Sequence, residues 1–422
     1  MNRPGNKVET MLDKIIGTKL DPWVNRIREE TNLPVRLTLW SGGTYDLGTF
    51  DKPRVQLRVN NLEAIGAFLN PSLDALGSAY VEQSIDIDGD IADIIDIAYK
   101  LASLPSFDGG LAGKVLKRFA HTRADDKKSI QYHYDVSNEF YQLWLDEQMV
   151  YSCGYFPRGD ETLDDAQRKK IDHILSKIRL QEGQTLLDIG CGWGALVIRA
   201  AQRFKARCIG ITLSEEQYDL ARRRVETAGL SDLIDIRLQD YRDVPGSFDR
   251  ITSVGMFEHV GLENLDGYFS KIHSLLADEG VVMNHGITST DPESGDSPGG
   301  GGSFIDQYVF PAGELPHLSY ALRAMQAGGL EALDVENLRR HYAATLIEWT
   351  RRFEQHTQLI RQMIGETKYR IWRVYLAGCA QAFAQDNVSI FQIVGQKARR
   401  PANAIPWSRS YMYPFQCDAD RP

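Results

Sequence analysis

The amino-acid sequence predicts an α/β protein in which a small α/β domain precedes a doubly wound parallel sheet. From about residue 166 onward, apolar strand-like runs alternate with helix-like segments, as they do in a doubly wound sheet. In residues 186–194 an apolar strand runs into glycines at alternate positions and then into a helix, an arrangement typical of a ligand-binding turn. Residues 1–112 contain a separate set of short strands and helices. The length of 422 residues fits two or three domains.

The composition indicates a soluble globular protein, because 43% of the residues are hydrophobic and 25% are charged. The net charge of −9 argues against nucleic acid as a partner. The five cysteines are scattered without the spacing of metal ligands, so we expect a reducing cytoplasm and no metal site. No apolar run has the length of a signal-peptide core or a membrane span.

Residues 1–112 are predicted to form a lipid-binding or dimerisation domain, because no motif in them suggests chemistry. A homodimer is therefore expected. Alternating apolar residues predict strands, and helical apolar spacing predicts helices, one of them capped by Asn60 or Asn61. The expected strands are 34–40, 44–48, 55–60 and 84–91, the first two forming a hairpin, and the expected helices are 8–16, 61–70 and 91–104.

A basic linker is predicted at residues 113–128. Between Lys114 and Lys128 there are six basic residues and two acidic ones. A solvated linker would explain this composition. Alternatively, the segment forms a patch that meets anionic lipid headgroups, to which each basic residue would contribute about 1 kcal/mol.

Residues 129–422 are predicted to form the larger domain, which opens with an aromatic segment at 129–156. Such a segment is usually core. This one also carries polar residues, including His133, Asn138 and Ser152, that an apolar core would not need. We therefore interpret it as a cap over a bound cofactor.

The sheet of the larger domain is predicted from five strands with intervening helices. Ser214 is the expected cap of one helix, with Gln217 at the capping-box position. The glycine-rich segment 291–303 is either a mobile loop beside the site or a plain surface loop. The expected strands are 185–190, 207–212, 234–240, 248–255 and 280–288, with a closing strand at 388–395; the expected helices are 166–178, 195–204, 214–229, 267–277, 342–364 and 367–385.

The glycine turn favours S-adenosylmethionine as the cofactor. Its spacing is Gly-x-Gly-x-Gly after Asp188, which suits a nucleotide-like ligand carrying an amino-acid group better than a pyrophosphate. A turn that merely closes a strand–helix corner is the alternative. Thr212 stands at the end of the second strand, where many such sheets have an acid for the ribose. Gln239 and Asp240 end the third strand and can bond the adenine, although Asp240 could equally be a cap or turn residue.

A second group of polar residues is expected at the same edge of the sheet. Glu258 and His285 follow the fourth and fifth strands, and ligands bind beyond the carboxyl ends of parallel strands. Apolar Met256, Phe257 and Ile287 surround them in sequence. A histidine at a strand end is often structural, but two polar groups on neighbouring strand ends favour a catalytic cleft.

Motifs over residues 130–395 resemble one known family. They include HYDVSNEFYQLWLD, YSCGYF, LLDIGCGWG, GITLSEEQ, MFEHVG, NHGIT, HYAATLIEW and GCAQAFAQ, in the family's order. The chain resembles the cyclopropane-fatty-acyl-phospholipid synthases, relatives of the mycolic-acid cyclopropane synthases. The N-terminal domain is similar, more loosely, to the extra domain of the bacterial phospholipid enzymes.

The resemblance implies a Rossmann-like class I methyltransferase sheet with helical cap insertions, and it implies residue roles. The cofactor S-adenosylmethionine would be bound by Tyr151, Ser152, Asp188, Gly190, Gly192, Gly194, Thr212, Leu213, Gln217, Gln239 and Asp240. A bicarbonate ion would be held by Cys153, Glu258, His285, Ile287 through its backbone, and Tyr342. Cys379 falls at a position ascribed to a nucleophile, but alkene methylation needs no covalent enzyme intermediate, which favours a small buried helix residue there.

The implied activity is conversion of cis-unsaturated phospholipid acyl chains into cyclopropanes by a cytoplasmic enzyme at the inner face of the cell membrane. Bicarbonate would act as an exchangeable base, and Phe304, Tyr308, Phe310 and Trp349 are candidate walls for an acyl tunnel. One alternative is a lipid methyltransferase that gives a methyl- or methylene-branched product, since Gly286 could alter the position of the base. The other is a lipid-binding scaffold with a vestigial cofactor site.

Overall fold

The computed structural model describes residues 20–104, 136–292, 302–309, 314–399 and 405–413. The predicted helix at 8–16, the basic linker, His133, Phe310 and most of the 291–303 loop lie outside these residues. The chain divides into two compact units, and the first contains Met1–Lys117, Gly299–Val309 and Ile364–Gln381. Two segments predicted to lie in the larger domain therefore belong to the first unit.

The first unit is built on a four-stranded sheet of order β2-β1-β3-β4. β1 and β2 form the predicted antiparallel hairpin, and β3 runs parallel to β1. Buried and exposed residues alternate along β3, as expected for a strand with one face on the core. The strands are β1 (Val35–Leu39), β2 (Thr44–Asp46), β3 (Val55–Val59) and β4 (Ile85–Gly89). The helices are 20–30, Ile65–Leu69, Leu73–Val81, Ile91–Ala102 and Gly302–Tyr308.

The helix Leu73–Val81 was not predicted, although Ser72 in the sequence is a typical N-cap residue. The Ser72 side chain accepts a hydrogen bond from the Ala75 amide, as an N-cap residue does. Phe304 packs on this helix at Gly77, where an added Cβ would come within 2.9 Å of the Phe304 ring. Phe304, a candidate wall of the acyl tunnel, is thus a packing residue of the first unit.

Arg370 attaches the C-terminal helical segment of the first unit to its sheet. Its guanidinium donates to the carbonyls of Tyr80 and Ile85 at 2.9 and 3.0 Å. It also pairs with Asp86 on β4 at 2.5 Å and with Glu366 on its own helix at 2.6 Å. Because Arg370 is only 8% exposed, its removal would take four hydrogen bonds or ion pairs out of a largely buried site.

We expect Arg370→Ala to destabilise the first unit by roughly 3 kcal/mol, since buried acceptors lose their donor. Urea unfolding followed by fluorescence would measure the change. Lys368→Ala, at an exposed position on the same helix, is the matched control and should change stability little. Equal effects of the two substitutions would contradict this role of Arg370.

The second unit contains a seven-stranded sheet of order β10-β11-β9-β8-β5-β6-β7. Strands β5 to β9 run parallel to one another, whereas β11 runs antiparallel to β9 and to β10. The five predicted strands and the closing strand are confirmed, and β10 is additional. The strands are β5 (Thr185–Ile189), β6 (Arg207–Thr212), β7 (Ile234–Leu238), β8 (Phe248–Val254), β9 (Leu276–Ser289), β10 (Leu330–Asn337) and β11 (Val388–Lys397).

Helices connect these strands. The predicted boundary between the two long C-terminal helical segments, at residues 365–366, is confirmed by a break at Gly365, where φ is 80°. A second break was not predicted: the first helix ends at Gln355 and the next begins at Thr357. The α-helices are Asn138–Gln142, Leu163–Lys177, Ala195–Phe204, Glu215–Thr227, Leu265–Leu275, Leu318–Ala327, Arg339–Gln355 and Thr357–Ala384. Short 3₁₀ helices lie at Tyr241–Asp243, Phe257–His259, Leu262–Asn264 and Arg409–Met412.

Within the described ranges, no helix combines the length and the apolar character needed to cross a bilayer.

Candidate functional site

The glycine turn after β5 forms the floor of a cleft at the carboxyl edge of the parallel strands. Gly190, Gly192 and Gly194 all have positive φ, at 80°, 53° and 83°, a conformation that side chains disfavour. The amides of Gly190 and Cys191 donate to the Ile211 carbonyl at 3.0 and 2.9 Å. These bonds tie the turn to β6 and leave the following helix to begin at Ala195.

Nine of the eleven residues predicted to bind the cofactor line this cleft. The two others do not line it. Gly194 is the residue that precedes the helix Ala195–Phe204. The Asp240 carboxylate caps the 3₁₀ helix Tyr241–Asp243 and pairs with Arg242 at 2.7 Å, so its proposed contact with adenine stays a prediction. The nine are Tyr151, Ser152, Asp188, Gly190, Gly192, Thr212, Leu213, Gln217 and Gln239.

The end of β6 presents neutral hydrogen-bonding groups to the cleft. The Thr212 hydroxyl donates to the Gln217 side-chain oxygen at 2.8 Å. The backbone amide of Gln217 donates to the Ser214 hydroxyl, which confirms Ser214 as the predicted helix cap. A hydroxyl and an amide thus occupy the place where an acid would have been expected.

The aromatic segment packs over the glycine turn. The Trp193 indole donates to the Asn138 side-chain oxygen at 2.6 Å, and its ring centroid lies 5.1 Å from that of Tyr141. Tyr141 also lies 5.6 Å from Tyr151, which lines the cleft. The described part of this segment is therefore both core and cleft wall.

A buried lysine on the cleft wall was missed by the sequence analysis. The Lys170 ammonium donates to the Ser152 hydroxyl at 2.8 Å and is 2% exposed. Burial lowers its pKa to about 8, opposed chiefly by the charges of Asp146 and Asp188. Burial likewise raises the pKa of Asp188 to about 6, opposed by a hydrogen bond from Thr252. The spacing of Gln167, Lys170 and Ile174 on one helical face was a signal that could have revealed it.

We expect Lys170→Met to weaken the binding of S-adenosylhomocysteine about 10-fold, since a buried cation and its hydrogen bond to Ser152 are lost. Isothermal titration calorimetry would measure the dissociation constant. Arg168→Met, which removes an exposed cation from the same helix, should leave it unchanged. An unchanged dissociation constant in Lys170→Met would show that the Lys170 ammonium contributes nothing to the binding of S-adenosylhomocysteine.

Glu258 is held between the cleft and β9. It belongs to the 3₁₀ helix Phe257–His259, and its neighbours Met256 and His259 line the cleft. Its Oε1 accepts a hydrogen bond from the Ile287 amide at 2.7 Å. Its Oε2 is buried and has no hydrogen-bond partner among the described residues. Burial raises the pKa of this carboxyl to about 7, so at neutral pH it can both hold and release a proton.

His285 lies on the same strand, two residues before Ile287, and is 1% exposed. Its Nδ1 lies 3.1 Å from the Gln392 side-chain nitrogen on β11. Its Nε2 is buried without a hydrogen-bond partner in the described ranges. Burial, reinforced by the charges of Lys170 and Lys177, lowers its pKa well below the usual value. His285 is therefore neutral at pH 7.

Hydrogen bonds connect Cys153 and Tyr342 to the same strands. The Cys153 thiol and the Tyr342 amide both donate to the Leu338 carbonyl, at 3.8 and 3.0 Å. The Leu338 amide donates to Ile390, which pairs with Ile287 across β11 and β9. Burial raises the pKa of the Cys153 thiol, so this cysteine is a neutral thiol and not a thiolate. All five residues predicted around the anion lie in the second unit, and their convergence on one ion stays a prediction.

Cys379 belongs to the first unit. Its surroundings raise the pKa of its thiol to about 12, and a nucleophilic cysteine needs the opposite shift. Cys379 lies in the helix Thr357–Ala384 as expected, but it is half-buried and not fully buried as predicted.

Solved structures share this fold. A mycolic acid cyclopropane synthase, CmaA1, complexed with SAH and CTAB, is 35% identical, with a TM-score of 0.61 over 64% of this chain and 98% of that one. A coclaurine N-methyltransferase shares the fold at 20% identity and a TM-score of 0.57, over 66% of this chain and 90% of that one. The sheet and the glycine-floored cleft define an S-adenosylmethionine-dependent class I methyltransferase.

The sequence places the chain more narrowly. Residues 121–393 match the family model described as mycolic acid cyclopropane synthetase, and residues 23–106 match a domain of unknown function. The chain belongs to the mycolic acid cyclopropane synthetase family. A probable fatty acid methyltransferase of Pseudomonas putida is 45% identical, over 91% of this chain and 98% of that protein. Cyclopropane mycolic acid synthase 1 of Mycobacterium tuberculosis is 36% identical, over 64% of this chain and 96% of that protein.

Proposed function

We propose that this protein transfers the methyl carbon of S-adenosylmethionine to the cis double bond of unsaturated phospholipid acyl chains and closes a cyclopropane ring, with a bicarbonate ion bound as base. One observation carries the proposal. Two buried polar atoms, Glu258 Oε2 and His285 Nε2, have no hydrogen-bond partner among the described residues, and the neighbours of Glu258 line the cofactor cleft. Buried polar atoms are normally paired, so each of these two atoms is expected to meet an additional polar group.

The residues fit a small oxyanion. A carboxyl with a pKa of about 7 can keep its proton on Oε2 and donate it, while Oε1 remains bonded to Ile287. Neutral His285 can donate from Nε2. Because the Ile287 amide already donates to Glu258, it supports the anion site through this carboxylate.

The chemistry needs a base that the cleft can hold close to a cation. The π electrons of the double bond would form a bond to the methyl carbon of S-adenosylmethionine while the bond from that carbon to sulfur breaks. Positive charge would then develop on the acyl chain. When bound, bicarbonate would supply the base that removes one proton from the transferred methyl, which lets the ring close. Glu258 can accept that proton in turn once it has released its own, because a pKa of about 7 makes both protonation states accessible.

Aromatic faces are available to stabilise the developing cation. The Trp349 ring lies 5.2 Å from Tyr151 and 5.9 Å from Tyr342, so it bridges the cofactor cleft and the anion site. Trp349 is completely buried, so it packs behind these two tyrosines. Its role as a wall of the acyl tunnel stays a prediction.

A lipid product assay tests the proposal. Purified protein is incubated with methyl-deuterated S-adenosylmethionine and vesicles of dioleoyl phosphatidylglycerol, and the released acyl chains are examined by mass spectrometry. Chains from a parallel incubation with unlabelled S-adenosylmethionine are examined by proton NMR. We expect each modified chain to gain one carbon, lose one deuterium from the methyl group and show cyclopropane resonances. Distearoyl vesicles, which lack the double bond, are the control.

Two further outcomes would change the conclusion. Chains that retain every methyl deuterium, or that show alkene resonances, would indicate a methyl- or methylene-branched product in place of the ring. Activity that is unaffected by removing dissolved carbon dioxide and by restoring bicarbonate would exclude bicarbonate as the base.

A further inference from the structure

A row of polar side chains crosses the sheet beside the anion site. In the strand register, Glu336 on β10 lies opposite Gln392 on β11, and Gln392 lies opposite His285 on β9. Residues directly opposite each other on adjacent strands present their side chains to the same face. Gln392 therefore stands between a histidine of the site and a half-buried carboxylate, and it is fully buried itself.

The carboxylate at the outer end of this row, that of Glu336, contacts a histidine and a lysine outside the row. Glu336 Oε2 accepts from His173 at 2.7 Å and pairs with Lys177 at 2.5 Å. These two groups lower the pKa of Glu336 to about 2. Gln392 is therefore the member of the row that contacts His285. The Glu336 carboxylate instead contacts two side chains of the helix Leu163–Lys177.

The contact between Gln392 and His285 has a defined direction. The Gln392 side-chain nitrogen lies 3.1 Å from His285 Nδ1, and an amide nitrogen can only donate. Nδ1 is therefore the acceptor, and a neutral imidazole that accepts at Nδ1 carries its hydrogen on Nε2. Nε2 is the buried atom without a partner among the described residues.

We propose that Gln392 is a positioning residue that fixes His285 in the Nε2–H tautomer and so makes it a neutral hydrogen-bond donor toward the anion site. The assignment of the tautomer is inferred from the contact between Gln392 and His285, whereas the role of that tautomer at the anion site rests on the function proposed above. In the opposite tautomer, His285 would present a lone pair to the anion and repel it.

The tautomer can be observed without turnover. In protein carrying ¹⁵N-histidine, long-range proton–nitrogen correlation distinguishes protonated from unprotonated ring nitrogens, and the His285→Asn variant identifies the His285 signals. We expect protonated Nε2 and unprotonated Nδ1 in the wild type. Gln392→Glu should reverse the assignment, since a carboxylate accepts from Nδ1–H, and Gln392→Met should give a mixture.

Kinetics provide the second measurement. We expect Gln392→Met to lower kcat roughly 10- to 100-fold, as loss of a group that orients a ligating histidine does, with no change in S-adenosylmethionine affinity. Gln396→Met is the matched control, because Gln396 is buried on the same strand and donates to Glu331 instead. It should leave both the tautomer and kcat unchanged.

Two results would overturn the proposal. One is an Nδ1–H tautomer in the wild type, and the other is an unchanged tautomer in Gln392→Met. The expected tautomer in a protein that modifies no lipid would instead refute the proposed function and leave the positioning role of Gln392 standing.

Discussion

Replacing Glu258 with glutamine is expected to lower kcat for lipid modification by roughly 10²- to 10⁴-fold, the range found for loss of a general acid–base group. Glutamine has nearly the same shape and can still accept the hydrogen bond from Ile287, so the site should stay assembled. It cannot accept a proton, however, and the proton released on ring closure has to leave a buried site. The dissociation constant for S-adenosylmethionine should not change. Single-turnover kinetics and calorimetry would measure the two quantities.

The same substitution should change stability in a pH-dependent manner. The ordinary pKa of 4.5 is raised to about 7 by burial in the folded protein. Between these values the folded state binds more protons than the unfolded state, so stability falls as pH rises from about 4.5 to 7 and is constant above. Glutamine removes this loss. Glu258→Gln should therefore be more stable than the wild type at pH 8, by at most about 3 kcal/mol, and the gain should vanish near pH 5.

The matched control is Glu263→Gln, which makes the same chemical change at an exposed position in the next 3₁₀ helix. It should alter neither kcat nor the pH dependence of stability. If Glu258→Gln kept the wild-type kcat, Glu258 would have no part in proton transfer. A stability difference that is equal at pH 5 and pH 8 would contradict the raised pKa.

Gly286→Ala is expected to cause the largest loss of stability. A Cβ on Gly286 would lie 1.8 Å from Cε1 and 2.1 Å from Cδ1 of the Phe257 ring, where no atom can be accommodated. Both residues are buried, so relief requires moving the ring or the strand. Overpacking of this kind costs about 3 kcal/mol or more. Because Phe257 precedes Glu258, the displacement should also disrupt the anion site and abolish most of the activity.

Thermal unfolding and the lipid assay would measure these effects. Gly267→Ala is the control, since a Cβ there meets no atom within 4 Å and the residue lies in the helix Leu265–Leu275. It should be neutral or stabilise the protein by about 0.5–1 kcal/mol, as alanine does in a helix. A Gly286→Ala protein with wild-type stability would show that Phe257 can move at little cost.

The predicted sheet depended on local signals that tertiary context did not override. Strands such as 185–190 and 207–212 are short apolar runs next to helices with clear caps, and all five were placed correctly. β10 was missed because it is an edge strand of mixed burial, so its sequence lacks the apolar run or the regular alternation that marks a strand. The break at Gly365 was predicted, whereas the break at His356 was missed because the sequence on both sides of it has helical spacing.

The candidate site was predicted to the extent that it follows the carboxyl ends of strands. Thr212 ends β6, and Gln239 and Glu258 follow β7 and β8, so the topology rule was sufficient to select them. His285 was expected after the fifth strand but lies inside β9. Lys170 and Gln392 were missed because they reach the site from a helix face and from the antiparallel strand β11, which the rule does not cover.

The sequence by itself determined the fold class, the glycine turn and the polar residues at the strand ends, because these depend on local propensity and on a fixed rule of topology. The tertiary structure decided which side chains are buried and against what. It placed Arg370 and Phe304 in the first unit, raised the pKa of Glu258, and set Gln392 against His285. These properties arise from contacts between residues far apart in the chain, where burial and hydrogen bonding are set by the packing of whole elements and leave little trace in local sequence.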